Sequence, residues 1–206
     1  EQMILTDQVK SEVFDALKSI ACQDLIYNIW GFGEIDPTPK CVVNMYGEAG
    51  TGKTMCAHAM AKYLEKKILL LNYADIESKY VGDAPKNLKK AFDVARATDA
   101  VMFFDEADSF LGKRIPNVNH GSDQALNSLR SQMLILLEEH KGVVLFATNL
   151  VTNFDKAFQS RMSKSIKFDL PNEEARAMII KGKIPPRLPV ENPYSENQPF
   201  SDDVYL

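Results

Sequence analysis

Gly47-Glu48-Ala49-Gly50-Thr51-Gly52-Lys53-Thr54 fits G-x-x-x-x-G-K-T at every specified position, a set of residue types suited to holding phosphate. The glycines let backbone N–H groups converge on phosphate oxygens. Lys53 has the reach for the β and γ phosphates of ATP, and the Thr54 hydroxyl is a hard oxygen ligand for Mg²⁺. As a bare Gly-rich turn the pattern means little. It gains force between a strand and a helix, because the helix N-terminus adds its dipole to the loop. Here the apolar run CVVNMY from Cys41 precedes it, and a helical pattern from Lys53 to Glu65 follows it.

A second constellation begins at Val101. The run Val101-Met102-Phe103-Phe104 leads into Asp105-Glu106, a pair of carboxylates at the carboxyl end of an apolar strand, where open α/β sheets hold their ligands. In this Walker B arrangement Asp105 would hold Mg²⁺. Glu106 would orient and deprotonate the attacking water, general-base work worth ~10²- to 10⁴-fold in rate. Alone, the pair reads equally well as solvated acids at a strand end; beside the phosphate loop, chemistry is the better reading. The run VVLFAT from Val143 is followed by Asn149. An amide there can hydrogen-bond a γ-phosphate and a lytic water, although Asn is also a common turn residue and draws its weight from the larger pattern.

Holding these residues together takes strands that end at one edge. Apolar runs start at Cys41, Ile68, Val101, Val143 and Ser165, and helical patterns separate them at 53–65, 85–97 and 122–139. Strand and helix alternate, which predicts an α/β fold with a largely parallel sheet. A helix over 7–21 comes first, ended by the linker GFGEIDPTPK at 31–40. Asn172-Glu173-Glu174 reads as a capped helix start. From 184 onward, prolines 185, 186, 189, 193 and 199 forbid regular structure and mark a connector. Both ends read as cuts: Glu1 is not a methionine, and SDDVYL resembles a first helical turn capped by Ser201, so further domains are expected outside the chain.

The 206 residues are 45% hydrophobic and 25% charged with a net charge of -4, the make-up of a globular domain without a bulk basic field. Nucleic acid is therefore not the favoured partner. Cys22, Cys41 and Cys56 are odd in number and form no C-x-x-C pair, which predicts no disulfide framework or zinc knuckle and a reducing, cytoplasmic setting. No apolar run reaches the roughly 18 residues of a membrane span. His58, His120 and His140 lack ligand spacing.

Taken together, GEAGTGKT, SKYVGDAPKNL, FFDEADSFLGKR, FATN and FDKAFQSRMSKSIKFDLPNEEAR resemble the AAA family of ATPases in order and spacing, over nearly all of residues 3 to 183. ILTDQVK, IWGFG and GKTMCAHAMAKYL resemble in particular bacterial AAA proteins associated with contractile injection systems, whereas SKYVG is shared with katanin and spastin. The resemblance implies a P-loop NTPase three-layer fold with a five-stranded sheet in the order 5-1-4-3-2. It also implies an AAA nucleotide-binding domain over 1–183, and over 184–206 a connector and the start of a helical lid that is otherwise missing. A hexamer with an ATP site at each subunit boundary is implied as well, and a protein client. Asn149 falls at the sensor-1 position. Arg161 falls at the arginine-finger position, reaching a neighbour's γ-phosphate. Lys79, Tyr80, Val81 and Gly82 fall on the pore loop that grips a polypeptide, and 112–122 on the second pore loop. Glu48 and Ala49 replace the usual Pro-Pro, at variable positions. The segment 155–164 holds only Arg161 where many members carry two arginines.

Two rival functions follow from the same residues. Asp105-Glu106-Ala107-Asp108 spells DEAD, the mark of RNA helicases, but that reading needs a second ATP-clasping domain and a basic track that the chain lacks. A nucleotide switch without turnover is the other, against which Glu106, Asn149 and Arg161 are all present.

Overall fold

Val101, Met102, Phe103 and Phe104 are each 0% exposed. Alternate residues of a strand point to opposite faces, so such a run needs cover on both sides of its sheet. The computed structural model, which describes residues 3–23, 25–35, 41–77, 84–112, 121–149 and 155–184, supplies that cover. Strands β1 (Val42–Gly47), β2 (Ile68–Leu71), β3 (Val101–Phe104), β4 (Val144–Thr148) and β5 (Lys164–Phe168) form a five-stranded sheet in the order β2-β3-β4-β1-β5. Every pairing is parallel, and the order is the 5-1-4-3-2 expected from the family resemblance.

The connecting helices α1 (Asp7–Ala21), α2 (Lys53–Tyr63), α4 (Ala84–Thr98) and α6 (Gly121–Glu139) divide between the faces. On one face Val43, Met45, Phe103, Leu145 and Ile166 pack with Val13 and Leu17 of α1 and Cys56 and Met60 of α2. On the other, Val42, Met102, Phe104 and Phe146 meet Leu88 and Phe92 of α4 and Leu129 and Met133 of α6. Phe104 stacks on Phe146 with ring centroids 5.2 Å apart. Asn44 of β1 is fully buried with neither amide atom hydrogen-bonded, a cost of roughly 1–3 kcal/mol that the core around it must offset.

The helices and strands sit within a residue or two of the sequence expectation. Asn172 caps α8 (Glu173–Lys183) as predicted, its Oδ1 accepting from Ala175 N at 2.9 Å. Short elements were not foreseen: a π-turn at Leu25–Ile29, a 3-10 turn at Phe32–Glu34, and helices α3 (Tyr73–Ile76), α5 (Asp108–Leu111) and α7 (Lys156–Gln159). Single turns are too short for hydrophobic periodicity to reveal. The proline-rich stretch from 185 lies outside the described residues. Among the described residues no helix is long and apolar enough to cross a membrane.

Gly47 ends β1 with φ 144, and a Cβ there would lie 2.1 Å from the backbone oxygen of Phe168 on β5. Gly50, with φ 80, has open space around it. Gly47→Ala should therefore cost roughly 2–5 kcal/mol, combining backbone strain with the wedge between β1 and β5, and Gly50→Ala only about 1–2 kcal/mol for strain alone. Denaturant unfolding of the two variants measures the difference; equal costs would show that the β1–β5 approach is not limiting.

His140 is 4% exposed, edge-on to Phe92, with no hydrogen bond to either ring nitrogen. Burial, aided by the charges of Arg96 and Lys66, pushes its pKa down to about 4. The unfolded chain takes up this proton near pH 6.5 and the folded chain resists it to about 4, so His140 stabilises nothing extra above 6.5 and destabilises progressively below. Between pH 7 and 4 the loss from this residue should approach roughly 3 kcal/mol. Unfolding curves at several pH values, compared with His140→Phe, isolate it; parallel pH profiles would rule it out.

Candidate active site

The parallel sheet brings the carboxyl ends of β1, β3 and β4 to one edge, and the sequence-predicted site lies there. Beyond Gly47 the loop turns through left-handed Gly50 (φ 80) and Gly52 (φ 93), and Thr51 Oγ1 closes it by donating to Glu48 O at 2.8 Å. Gly52 is the N-cap of α2, so Lys53 is the first helical residue. Its side chain is 7% exposed and folds back over the loop. Nζ donates to Gly47 O at 2.8 Å, to Glu48 O at 2.7 Å and to Asn149 Oδ1 at 3.0 Å. Burial draws the Lys53 pKa down, and the carboxylates of Asp105 and Asp108 oppose that shift.

At the end of β3, Asp105 uses both oxygens. Thr54 Oγ1 donates to Oδ2 at 3.0 Å and the Glu106 backbone N–H to Oδ1 at 2.9 Å. Hydroxyl and carboxylate oxygens thus lie side by side beside the loop, a donor set that suits Mg²⁺, which prefers hard oxygen ligands and keeps several waters. Glu106 has φ 49, a left-handed conformation costing a non-glycine residue about 1–3 kcal/mol. The neighbouring bonds hold it: Ala107 N donates to Ala147 O at 2.8 Å, tying the turn to β4. The turn leaves Glu106 exposed.

Asn149 stands exposed just past β4, its amide oxygen on Lys53 and its backbone N–H donating to Asp108 Oδ1 at 3.2 Å. The loop from Gly47 to Thr54, Asp105, Glu106 and Asn149 are therefore brought into one neighbourhood. Arg161 is not. It follows α7, where Nη1 donates to Ala157 O at 2.7 Å and Nη2 is ion-paired with Glu138 at the end of α6. Ser163, two residues on, donates to Val42 O, and Val42 is at the far end of β1 from Gly47, about 16 Å of strand away. Lys79, Tyr80, Val81 and Gly82, and residues 113–120 of the expected second pore loop, lie outside the described residues.

The amino-terminal segment also meets the loop, which the sequence did not signal. Met3 Cε lies 3.5 Å from the point a Cβ on Gly52 would occupy. Met3, Ile4 and Leu5 line an apolar cleft of about 590 Å³ with Cys56 and Met60 of α2 and Ala175 of α8. Apolar side chains outside any element carry no chemical signature, so only their packing reveals them. A cavity of about 700 Å³ lies at the amino-terminal end of the strands, lined by Lys66, Arg96 and His140, and none of the candidate residues borders it.

The likenesses to known proteins converge. Fidgetin-like protein 1 of Drosophila melanogaster is 37% identical over 150 residues, 69% of this chain and 28% of that protein. The 26S proteasome regulatory subunit 7 homolog of Schizosaccharomyces pombe is 34% identical over 157 residues, 71% of this chain and 34% of that one. Spastin of Drosophila persimilis is 28% identical over 188 residues, 87% of this chain and 21% of its own length. The chain thus spans about a third or less of these relatives. In fold it is similar to the FIGL-1 AAA domain, solved in complex with ADP, with a TM-score of 0.68 and 24% identity over 87% of this chain and 58% of that one. The family model for the ATPase family associated with various cellular activities (AAA) matches residues 43–170, more than half of the chain, and with the parallel sheet and the loop at its edge this establishes that the chain belongs to that family.

Proposed function

We propose that the chain binds Mg-ATP at Gly47–Thr54 and hydrolyses it to ADP and phosphate, as one subunit of a ring that remodels or unfolds a protein client. The observation that carries the proposal is the contact of Lys53 Nζ with Asn149 Oδ1 at 3.0 Å. It puts the one buried cation of the loop and the amide of a distant strand within reach of a single phosphate group. Thr54 and Asp105 would hold Mg²⁺, which would supply neutralisation of the charge developing on the phosphate.

The remaining work falls to side chains. On binding, phosphate oxygens replace the carbonyls of Gly47 and Glu48 as acceptors for Lys53, while the N–H groups of Glu48 to Thr54, Ala49 and Thr51 among them, turn to the phosphate. Glu106 accepts the proton of the attacking water, and Asn149 orients that water and the γ-phosphate. The apolar cleft beside Met3 and Met60 would receive the base, since Met3 adjoins the loop at Gly52 and apolar walls suit a stacked heterocycle. Arg161 would complete the site of a neighbouring subunit. Its position about 16 Å of strand from the chain's own loop supports action in trans. Lys79, Tyr80 and Val81 would hold the client. Residues 1–183 would form the nucleotide-binding unit and 184–206 lead into a lid.

Lys53→Ala should lose ATP affinity, whereas Glu106→Gln should keep it and lose turnover, because one contacts phosphate in the ground state and the other acts on water. Binding and steady-state turnover measured side by side decide it; equal loss of affinity in both variants would refute the division of roles.

Arg161→Ala should cut hydrolysis by up to ~10³- to 10⁵-fold with ATP binding to each subunit retained. Mixing it with Glu106→Gln subunits should restore part of the rate, since some interfaces then pair an intact Glu106 with an intact Arg161. Turnover that stays at the level of the separate variants, in rings shown to be mixed, would count against a trans role.

A further inference from the structure

Asn149 is exposed just past the end of β4, with its amide oxygen on Lys53 Nζ. Its placement comes from the adjacent turn. Asp108 Oδ1 accepts from the Asn149 backbone N–H at 3.2 Å and also from the hydroxyl of Thr148, itself 1% exposed. A carboxylate shared by two donors makes charge-assisted bonds, stronger than neutral ones.

Asp108 is in turn well anchored. It opens α5, whose Phe110 and Leu111 are each 0% exposed, and Phe110 packs edge-on to Phe104 at 5.6 Å. The preceding Ala107 N–H is bonded to Ala147 O at 2.8 Å. The turn that carries Asp105 and Glu106 is therefore stitched to the tip of β4 by Ala107, then by Asp108 twice. We infer that Asp108 is a positioning residue for hydrolysis, holding the tip of β4 so that the Asn149 amide meets Lys53 and the phosphate held there. The inference rests on the role given above to Asn149. Asp108 acts through Asn149, and it ties the turn that carries the residue activating water to the residue that orients it.

The test is a double-mutant cycle in the full-length protein, read as kcat and as ATP affinity. Asp108→Ala should lower kcat roughly 10- to 100-fold, the range for groups that orient a reacting ligand from behind, and shift ATP affinity less than about 3-fold. Asp108→Asn keeps an acceptor oxygen and should recover most of the loss. In an Asn149→Ala background, Asp108→Ala should add less than about 2-fold, because a residue acting through another has nothing left to position. Losses that multiply, an affinity loss as large as the kcat loss, or an Asp108→Asn variant as slow as Asp108→Ala would each overturn the proposal. Should Asp108→Ala fail to fold, Thr148→Val, which removes one of the bonds, takes its place in the same cycle. If Asn149→Ala alone turns over like wild type, the role of Asn149 falls first; if it is slow while Asp108→Ala is fast, only the positioning role falls.

Discussion

Parallel pairing of β1 with both β4 and β5 is the constraint from which the rest follows. Val42 to Tyr46 are in register with Val144 to Thr148 on one side, and Val43 to Gly47 with Lys164 to Phe168 on the other. Strands running the same way must end at the same edge. The phosphate loop after Gly47, the Asp105 turn after β3 and Asn149 after β4 are therefore neighbours, although 96 residues separate Lys53 from Asn149. The packing that enforces this is ordinary: apolar strands buried on both faces, with α1 and α2 on one side and α4 and α6 on the other. Nothing in the core is specialised for chemistry, and the chemistry lies in what the strand ends carry.

Within that edge, the most demanding group is the Lys53 ammonium. A cation 7% exposed needs full hydrogen bonding to avoid a desolvation penalty. Its three acceptors, two loop carbonyls and the Asn149 amide, meet that need in a way a phosphate can replace. The carboxylates nearby have a matching arrangement: Asp105 is engaged by Thr54 and by its own neighbour's N–H, and Asp108 by β4. Glu106 is the exposed acid of the turn, and it bears the left-handed backbone. Strain of this kind persists only where surroundings over-determine it, and here the bonds of Asp105 and Ala107 on either side do so.

The two ends of the sheet have different characters. One gathers the loop and the acids; the other carries Arg161, held by Glu138 and the Ala157 carbonyl, and the buried, unpaired His140. An arginine at that end is remote from its own loop, in line with the proposal of a site shared between neighbours.

The elements and the local chemistry are legible in the sequence. Strand and helix periods, the G-x-x-x-x-G-K-T loop, the apolar run ending in Asp105-Glu106 and the Asn172 cap are all written in residues adjacent along the chain, where local geometry follows from residue type. The strand order came from resemblance, since periodicity alone does not say which strands pair. Tertiary structure alone decided what meets across the chain. That Asn149 touches Lys53, that Asp108 reaches past its own short helix to Thr148 and Asn149, that Met3 abuts Gly52 and that Arg161 sits far from Gly47 are consequences of strand register and helix packing. Met3 has no local signature, and the D-E-A-D string that ends at Asp108 does not say what its carboxylate meets, because a carboxylate in a turn and an apolar side chain near a terminus are the same in sequence whether they face solvent or a site. Only the folded chain, by bringing strand ends within hydrogen-bonding distance, assigns them partners.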